Sequence, residues 1–401
     1  MQTLLPQSPH RLPVYPALIR RLRLGIVGGG RISAMQAMAA RLSDRWEVVA
    51  GALSSDAVNA KARGAQWRLE KQRCYTSFEQ MAAAESQRED GVDAVMITTP
   101  NHVHAEAALC FLQAGIAVLC DKPMTNTMDE ATNLIHAVQG ARSVFGVSYV
   151  MSCFPMVRQA RELVLAGDIG RVNQIHVEFL QDWMTPPESA DAEHVQWRLD
   201  PARSGATSCT GDIGTHAAHL ASFVSGCELT DIRAEMHVCG SPKPLEDTVM
   251  MLTRYNQFIP GSLIATRMAP GNRGGLRVRV FGSEGGIEWD LERAEQLKYS
   301  RYGEADRVIS RGHGHGVSSR VEKLIRSARG FPEGIIEAWG NLYTEFAMAV
   351  AASQDQLTLP QDWVLLPDVY DGAKGVRFVE AAVESNRHDG RWTDCRLVTP
   401  T

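Results

Sequence analysis

The sequence predicts an α/β protein, with a doubly wound parallel sheet in its N-terminal part and an α+β domain with an open, mainly antiparallel sheet after it. Three observations carry this. Short uninterrupted apolar runs alternate with helical stretches from Leu22 to Val147, the pattern of strands covered on both faces. A glycine triplet, Gly28-Gly29-Gly30, stands between the first run and the first helix. Beyond about Pro155, runs with visible alternation follow one another across short turns with no helix between them, as antiparallel strands do.

In order, strands are expected at 24–27, 46–53, 93–98, 116–120 and 144–147, and helices at 34–42, 57–65, 104–114 and 128–138. A sheet of this kind binds ligands at the carboxyl ends of its strands. A helix at 156–166, closed by Gly167, leads to an alternating run at 172–183. Further strands are expected at 248–255, 262–268, 276–281 and 286–291, with Gly282-Ser283-Glu284-Gly285 as a turn. Residues 303–330, rich in Gly, Arg and His, are expected to be irregular, and helices at 332–352 and 368–385 to close the chain. The division that follows is an N-terminal arm (1–21), a dinucleotide-binding domain (22–150) and a substrate-binding and oligomerisation domain (151–401).

The 401 residues are 44% hydrophobic and 22% charged, with a net charge of −5, which argues against a nucleic-acid or polybasic membrane binder. None of the eight cysteines forms a C-x-x-C pair, so no zinc ribbon or dithiol redox site is signalled, and reduced, mostly buried thiols are expected. The first residues lack a continuous apolar segment and no window is long and apolar enough to span a bilayer, so a cytoplasmic location is expected.

Gly28-Gly29-Gly30-Arg31-Ile32-Ser33 fits a turn that lets a pyrophosphate reach backbone N–H groups at a helix N-terminus. Gly28 and Gly30 match the first two positions of G-x-G-x-x-G, and Ser33 replaces the third glycine. After the second strand comes Leu53-Ser54-Ser55-Asp56. Ser54 at the ribose position leaves no carboxylate to exclude a 2′-phosphate, and Lys61 and Arg63 are near in sequence, which favours NADP; Asp56 bent back to the ribose would favour NAD.

Thr98-Thr99-Pro100-Asn101-His102-Val103-His104, Asp121-Lys122-Pro123 and Gly211-Asp212-Ile213-Gly214-Thr215-His216 complete a set that, with the glycine triplet, resembles the Gfo/Idh/MocA family, named for glucose–fructose oxidoreductase and inositol dehydrogenase. The likeness runs from about Leu22 to Trp392 and includes Pro155-Met156-Val157-Arg158-Gln159-Ala160-Arg161 and Pro332-Glu333-Gly334. It implies a Rossmann domain followed by an open antiparallel sheet, homo-oligomers (dimers or tetramers) built through that sheet, and hydride transfer between NAD(P) and a secondary hydroxyl of a sugar or cyclitol. Lys122 matches the family's catalytic lysine, Asp212 its second-domain aspartate and His216 its proton-transfer histidine. Asp121 stands where the family has glutamate, toward the nicotinamide ribose. Thr98, Pro100, Asn101 and His104 close the third strand, where relatives contact the cofactor. His219 occupies a position that is Asp or Asn in relatives and contacts substrate, and 148–152 lacks the polar Asn or Arg often found there.

The chemistry suits these residue types. Alcohol oxidation needs a base for the hydroxyl proton, a role for His216 worth about 10²–10⁴-fold. An ammonium at Lys122 keeps the imidazole neutral and stabilises alkoxide charge. Asp212, four residues from His216, shares its helix face and orients Lys122 or accepts from a substrate hydroxyl. Trp183, Trp197 and Arg198 are candidates for a sugar-binding wall, core packing being the alternative for the tryptophans. The bland readings are Asp212 as the N-cap of a helix starting near Ile213, His216 as an interface residue and Lys122 as a surface lysine. Other functional readings are a dinucleotide-bound regulatory protein without turnover, and a metal-dependent isomerase or hydrolase using Asp212, His216 and His219, with His313 and His315 as further ligands; no metal is the expected state. Arg267, Arg273, Arg277 and Arg279 are expected on an exposed sheet face or a subunit contact.

Overall fold

The computed structural model describes residues 15–141, 143–187, 193–312, 316–360 and 363–398. Six parallel strands form the first sheet: β1 (Leu22–Val27), β2 (Trp46–Ala52), β3 (Cys74–Tyr75), β4 (Ala94–Ile97), β5 (Ala117–Cys120) and β6 (Phe145–Val147), in the order β3-β2-β1-β4-β5-β6. Between them run α1 (Arg31–Leu42), α2 (Ala57–Gln66), α3 (Phe78–Glu85), α4 (His104–Gln113) and α5 (Met128–Gly140). Every residue of β4, β5 and β6 is buried, the consequence of helices on both faces.

Local signals set the helix ends. Asp56 caps α2 by accepting from the Asn59 N–H at 2.8 Å. Thr127 and Glu130 form a capping box at the start of α5, which supplies the donors that the first turn leaves unpaired. The element pair β3–α3 was not expected from the sequence. β3 is only two residues long and α3 is alanine-rich, so neither carries a strong periodic pattern; the usable signal was Ser77, whose hydroxyl caps α3 through Gln80.

After α6 (Pro155–Leu165) and β7 (Val172–Leu180) come α7 (Glu193–Leu199), α8 (Pro201–Ser204) and α9 (Thr215–Ser225), then seven strands: β8 (Leu229–His237), β9 (Thr248–Tyr255), β10 (Ile259–Thr266), β11 (Gly275–Gly282), β12 (Gly285–Asp290), β13 (Gln296–Arg301) and β14 (Arg307–Ser310). Next are α10 (Ser319–Glu322), α11 (Ile335–Ser353), α12 (Val369–Arg387) and β15 (Thr393–Asp394). The nine strands are ordered β14-β13-β12-β11-β7-β10-β9-β8-β15, antiparallel except for the β7–β10 pair. β9 alternates buried and exposed residues along almost its whole length, so one face meets α6 and α9 while the other, with Met250 and Leu252 about half exposed, is left open. Sequence expectations differ from this part of the chain in several places, and β13 and β15 were not expected at all. β8 was missed because Asp231, Arg233 and Glu235 mask its alternation, β14 and α10 lie within the stretch expected to be irregular, and Trp183 lies beyond the end of β7. His313 and His315 lie outside the described residues.

The C-terminal part also completes the first domain. Trp46, 2% exposed, donates from Nε1 to the Tyr343 carbonyl of α11 at 2.8 Å and stacks on Phe346 with centroids 5.2 Å apart. Tyr15 is buried and its hydroxyl donates to Glu345 Oε1 at 2.9 Å, while Arg158 Nη2 pairs with Glu345 Oε2 at 2.8 Å. Tyr15, expected to belong to an arm, is therefore anchored to α11 by a hydrogen bond to a carboxylate that is itself in a buried ion pair with Arg158. No helix among the described residues is long and apolar enough to cross a membrane.

Candidate active site

The carboxyl ends of β1, β2, β4 and β5 meet at one edge of the first sheet. Gly28 has φ of +111°, the left-handed region where only glycine is unstrained. A Cβ on Gly29 would lie 2.2 Å from the Leu53 carbonyl oxygen, so the turn has no room for a side chain there. A Cβ on Gly30 would meet nothing within 4 Å, and α1 starts at that point with no side-chain cap. Open space in front of uncapped N–H groups fits a pyrophosphate. Ser33 is buried and its Oγ lies 2.7 Å from Thr98 Oγ1, so the residue in the third glycine's place ties α1 to the end of β4.

At the ribose end, Asp56 is occupied as the cap of α2 and does not bend back. Ser54 Oγ accepts from the Asp56 N–H at 3.2 Å, and Ser55 is exposed. Arg63 Nη1 donates to the Leu53 carbonyl at 2.9 Å and to that of Gly29 at 3.1 Å, which sets a guanidinium between the end of β2 and the glycine turn. After β4, Thr98 and Pro100 line the same edge, but two residues expected on a cofactor are engaged by the chain itself. Asn101 Nδ2 donates to the Ser204 carbonyl at 3.1 Å. His104 is 1% exposed, with Nδ1 2.9 Å from the Pro123 carbonyl and Nε2 2.8 Å from that of Thr99. The His104 ring, expected on the cofactor, thus lies between the loop after β4 and the loop after β5, and as a neutral imidazole it can donate to one of the two carbonyls.

That second loop carries Asp121 and Lys122, with a cis Lys122–Pro123 peptide. Asp121 Oδ1 accepts from the Lys122 N–H at 2.9 Å; burial raises its carboxyl above the usual range, against the pull of Lys122 and His104. Lys122 Nζ reaches across to the other domain and donates to Asp212 Oδ1 at 2.5 Å and to the Asp212 carbonyl at 2.9 Å. An ammonium has three donors, so one is left for a ligand.

Asp212 lies in a π-helical turn, Thr210–Gly214, that runs directly into α9. It is not the cap of that helix. The capping acceptor is Glu246, whose carboxylate takes the Ser208 N–H at 3.1 and 3.0 Å and the Thr210 N–H at 2.8 Å. Asp212 Oδ2 accepts from Arg267 Nη2 at 2.6 Å and lies 3.6 Å from Arg198 Nε. Burial works to raise the Asp212 carboxyl, but Lys122, Arg267 and Arg198 together hold it well below the usual range, so it stays ionised.

His216 follows one turn later, 8% exposed, with the edge of the Tyr149 ring 5.8 Å away between centroids and Phe179 at 6.5 Å. Its Nδ1 is buried with no hydrogen-bond partner among the described residues. Burial first, and Lys122 second, hold its pKa well below that of a free histidine, with Asp212 opposing. The imidazole is therefore neutral at pH 7 and able to accept a proton.

The remaining expected residues divide. Trp183 lies over the Arg267 guanidinium at 5.2 Å and packs with Met184, Val195, Leu199 and Met268 in a small apolar cluster beside Asp212. Arg198 reaches Asp212, and its guanidinium lies 4.4 Å from the centroid of Trp197. His219 does not join Lys122 and Asp212. It stacks flat on Tyr149 at 4.2 Å and lines a separate cavity of about 460 Å³ with Arg161, Phe223 and Lys374. Burial and the cations Arg158, Lys374 and Arg161 push its pKa down to about 3. Among the described residues, no three His, Cys, Asp or Glu side chains form a metal-ligand group.

Sequence reasoning missed Glu246 and misplaced Arg267, which is 0% exposed rather than on an open face. Arg277 and Arg279 do alternate outward on β11, with Arg277 paired to Glu288 at 2.5 Å. The difference is that Arg267 follows the last residue of β10, where the chain turns inward over Ser208 and Asp212. No local pattern separates the two cases.

Residues 22–149 match the family model described as oxidoreductase family, NAD-binding Rossmann fold, and residues 157–288 match that of the GFO/IDH/MocA C-terminal domain. An oxidoreductase from Sinorhizobium meliloti of known structure is 39% identical, with a TM-score of 0.84 over 93% of this chain and 99% of its own. An inositol dehydrogenase homologue from Azotobacter vinelandii, solved with NAD+, is 31% identical with a TM-score of 0.88 over 94% and 98%, and is also known with NADH and myo-inositol. A levoglucosan dehydrogenase from Pseudarthrobacter phenanthrenivorans is 29% identical over 230 residues, 52% of this chain and 57% of its own.

Proposed function

The chain belongs to the Gfo/Idh/MocA family of NAD-binding oxidoreductases, and from that premise we propose that it is an NADP-preferring dehydrogenase acting on a secondary hydroxyl of a sugar or cyclitol. The observation that carries this is the bond from Lys122, at the end of β5 beside the glycine turn, to Asp212 of the other domain, one turn before a neutral buried histidine. The nicotinamide, when bound, supplies the hydride acceptor.

Each residue then has a distinct task. Gly28, Gly30 and the uncapped start of α1, with the N–H groups of Arg31 and Ile32, hold the pyrophosphate. Lys122 uses its third N–H on the reacting oxygen and stabilises the negative charge that grows there. Asp212, ionised and held from three sides, fixes that ammonium. His216 takes the hydroxyl proton. Trp183, Trp197 and Arg198 border the substrate side, and Arg198 offers N–H groups to hydroxyls. Inositol, bound by the Azotobacter relative, and levoglucosan, named for the Pseudarthrobacter enzyme, support a polyhydroxylated ring as substrate. The half-exposed Met250 and Leu252 on the open sheet support a homo-oligomer formed through that face.

Cofactor preference rests on the end of β2. Asp56, the carboxylate that follows β2, is used to cap α2, and Arg63 sits between Leu53 and Gly29. A charge-assisted contact of this kind is worth about 1.5–3 kcal/mol, so NADP should bind about tenfold or more tighter than NAD. Both parts are tested together: nucleotide titrations by fluorescence, then reduction of NADP and NAD with a panel of sugars and cyclitols. Absence of turnover with every polyol would remove the dehydrogenase reading, and tighter binding of NAD would remove the NADP preference.

A further inference from the structure

We propose that Arg267 is a positioning residue of this site: with Glu246 it fixes the turn bearing Asp212 and His216, and it holds one carboxylate oxygen of Asp212 so that Lys122 has only the other. The inference rests on the dehydrogenase reading for its kinetic consequence, but its geometry stands apart from it.

Arg267 and Glu246 leave the same end of the β9–β10 pair, where Thr248 and Thr266 face each other in register and their hydroxyls lie 2.8 Å apart. From that base the two side chains bind one short segment, meeting at Ser208, with Glu246 reaching on to Thr210 and Arg267 to Asp212. Glu246 accepts the Ser208 and Thr210 N–H groups, and its own carbonyl accepts from Cys209 at 3.3 Å. Arg267 donates from Nη1 to Ser208 Oγ at 2.7 Å and from Nη2 to the Ser208 carbonyl at 3.2 Å and to Asp212 Oδ2 at 2.6 Å. An anion thus binds the donors that start the helix, and a cation binds an acceptor and a carboxylate one turn on. Both charges are buried, and burying them is costly unless each is paired. Here the pairing makes the segment's place depend on both.

The consequence falls on Lys122. A carboxylate free on both sides can rotate or take a lysine on either oxygen. With Oδ2 held by a planar, forked guanidinium, the lysine meets only Oδ1 and the neighbouring carbonyl, which fixes where its remaining N–H points. The groups facing Asp212 are Lys122 from the loop after β5, Arg198 from α7, Arg267 from just after β10, His216 from α9 and, farther off, Asp121. Loss of Arg267 removes one of three cations and raises the pH at which Asp212 protonates.

The test compares the parent with Arg267→Met, Arg267→Lys and Glu246→Gln. Cofactor dissociation constants are measured by nucleotide fluorescence, kcat and KM across pH, and the Asp212 carboxyl by carbon-13 NMR on aspartate-labelled protein, assigned through Asp212→Asn. In Arg267→Met, cofactor binding should stay within about twofold while kcat falls about 100-fold, the scale of a misplaced reacting group. The Asp212 titration should move up by about one pH unit or more. Arg267→Lys, which keeps the charge and loses the fork, should return the titration toward the parent and recover kcat only in part. Glu246→Gln should lower kcat without moving that titration. An Asp212 titration unchanged in Arg267→Met, or equal in the Met and Lys variants, overturns the proposal. Because that titration needs no substrate, an absence of parent turnover would count against the dehydrogenase reading alone.

Discussion

The two halves of the site are built on different principles. On the cofactor side, the chain presents backbone: a turn of glycines, an uncapped helix start, and loops tied down by His104 and Ser33. On the substrate side it presents side chains, and Lys122, Arg198, Asp212 and Arg267 converge from four segments spread over 146 positions of sequence. A site made of main chain needs small residues at fixed spacing, which is a local property. A site made of converging charges needs a correct fold first, and any one charge out of place leaves its partner buried and unpaired. Damage should therefore differ in kind: binding is lost on one side, turnover on the other.

The largest effect is expected from Lys122→Ala, which removes the charge that reaches from the end of β5 to Asp212. Turnover should fall by about 10³-fold or more, since stabilisation of the developing charge and the position of Asp212 go together. Cofactor affinity should change little. Single-turnover reduction of NADP beside a fluorescence titration checks both, and turnover within tenfold of the parent would leave the lysine without its assigned role.

Next is His216, whose pH behaviour sharpens the comparison. A histidine read from sequence titrates near neutrality, but here burial and Lys122 lower its pKa. With a lowered pKa, the proton-accepting form is complete at neutral pH and is lost only as pH falls through that lower value. The rate of alcohol oxidation should thus hold steady from pH 8 to below 6.5. His216→Ala should cut it by about 10²–10⁴-fold. An acid limb centred at the ordinary histidine value in the parent would show that the ring is not shielded.

On the cofactor side, Gly29→Ala puts a methyl group 2.2 Å from the Leu53 carbonyl oxygen. Backbone on both sides has to move, so affinity for the dinucleotide should drop about 10- to 100-fold while kcat at saturating cofactor stays close to the parent. A fall in kcat with unchanged affinity would contradict the division between the halves.

What could be read beforehand follows the same line. Most of the parallel sheet was legible because β4, β5 and β6 are continuous apolar runs and some helices carry their own cap, as at Asp56 and Thr127, whereas β3, only two residues long, was not. Lys122, Asp212 and His216 were legible through a family resemblance, not through spacing. Glu246 and Arg267 were not, because a glutamate or an arginine just outside a strand looks the same in sequence whether the strand end turns to solvent or inward. The place of His219 was not legible for a related reason: Tyr149, from a segment seventy positions earlier, takes its ring face. Contacts across distant segments decide these three residues, and none has a local signature.

The smallest effect tests whether the third glycine's replacement is neutral. Ser33 is fully buried, and its hydroxyl shares one hydrogen bond with Thr98 Oγ1, which itself donates to the Val27 carbonyl at 3.2 Å. Ser33→Ala removes that link between α1 and β4 without adding volume, and an internal hydrogen bond of this type is worth about 0.5–1.5 kcal/mol. Thr98 keeps a partner, so no buried donor is orphaned and the cost should stay in that range, a few degrees at most in Tm. Since the pyrophosphate meets the N–H groups of α1 and not this hydroxyl, cofactor affinity should change by less than about threefold. A larger loss of affinity at unchanged stability would mean that Ser33 touches the cofactor, and that the backbone side of the site also depends on a side chain.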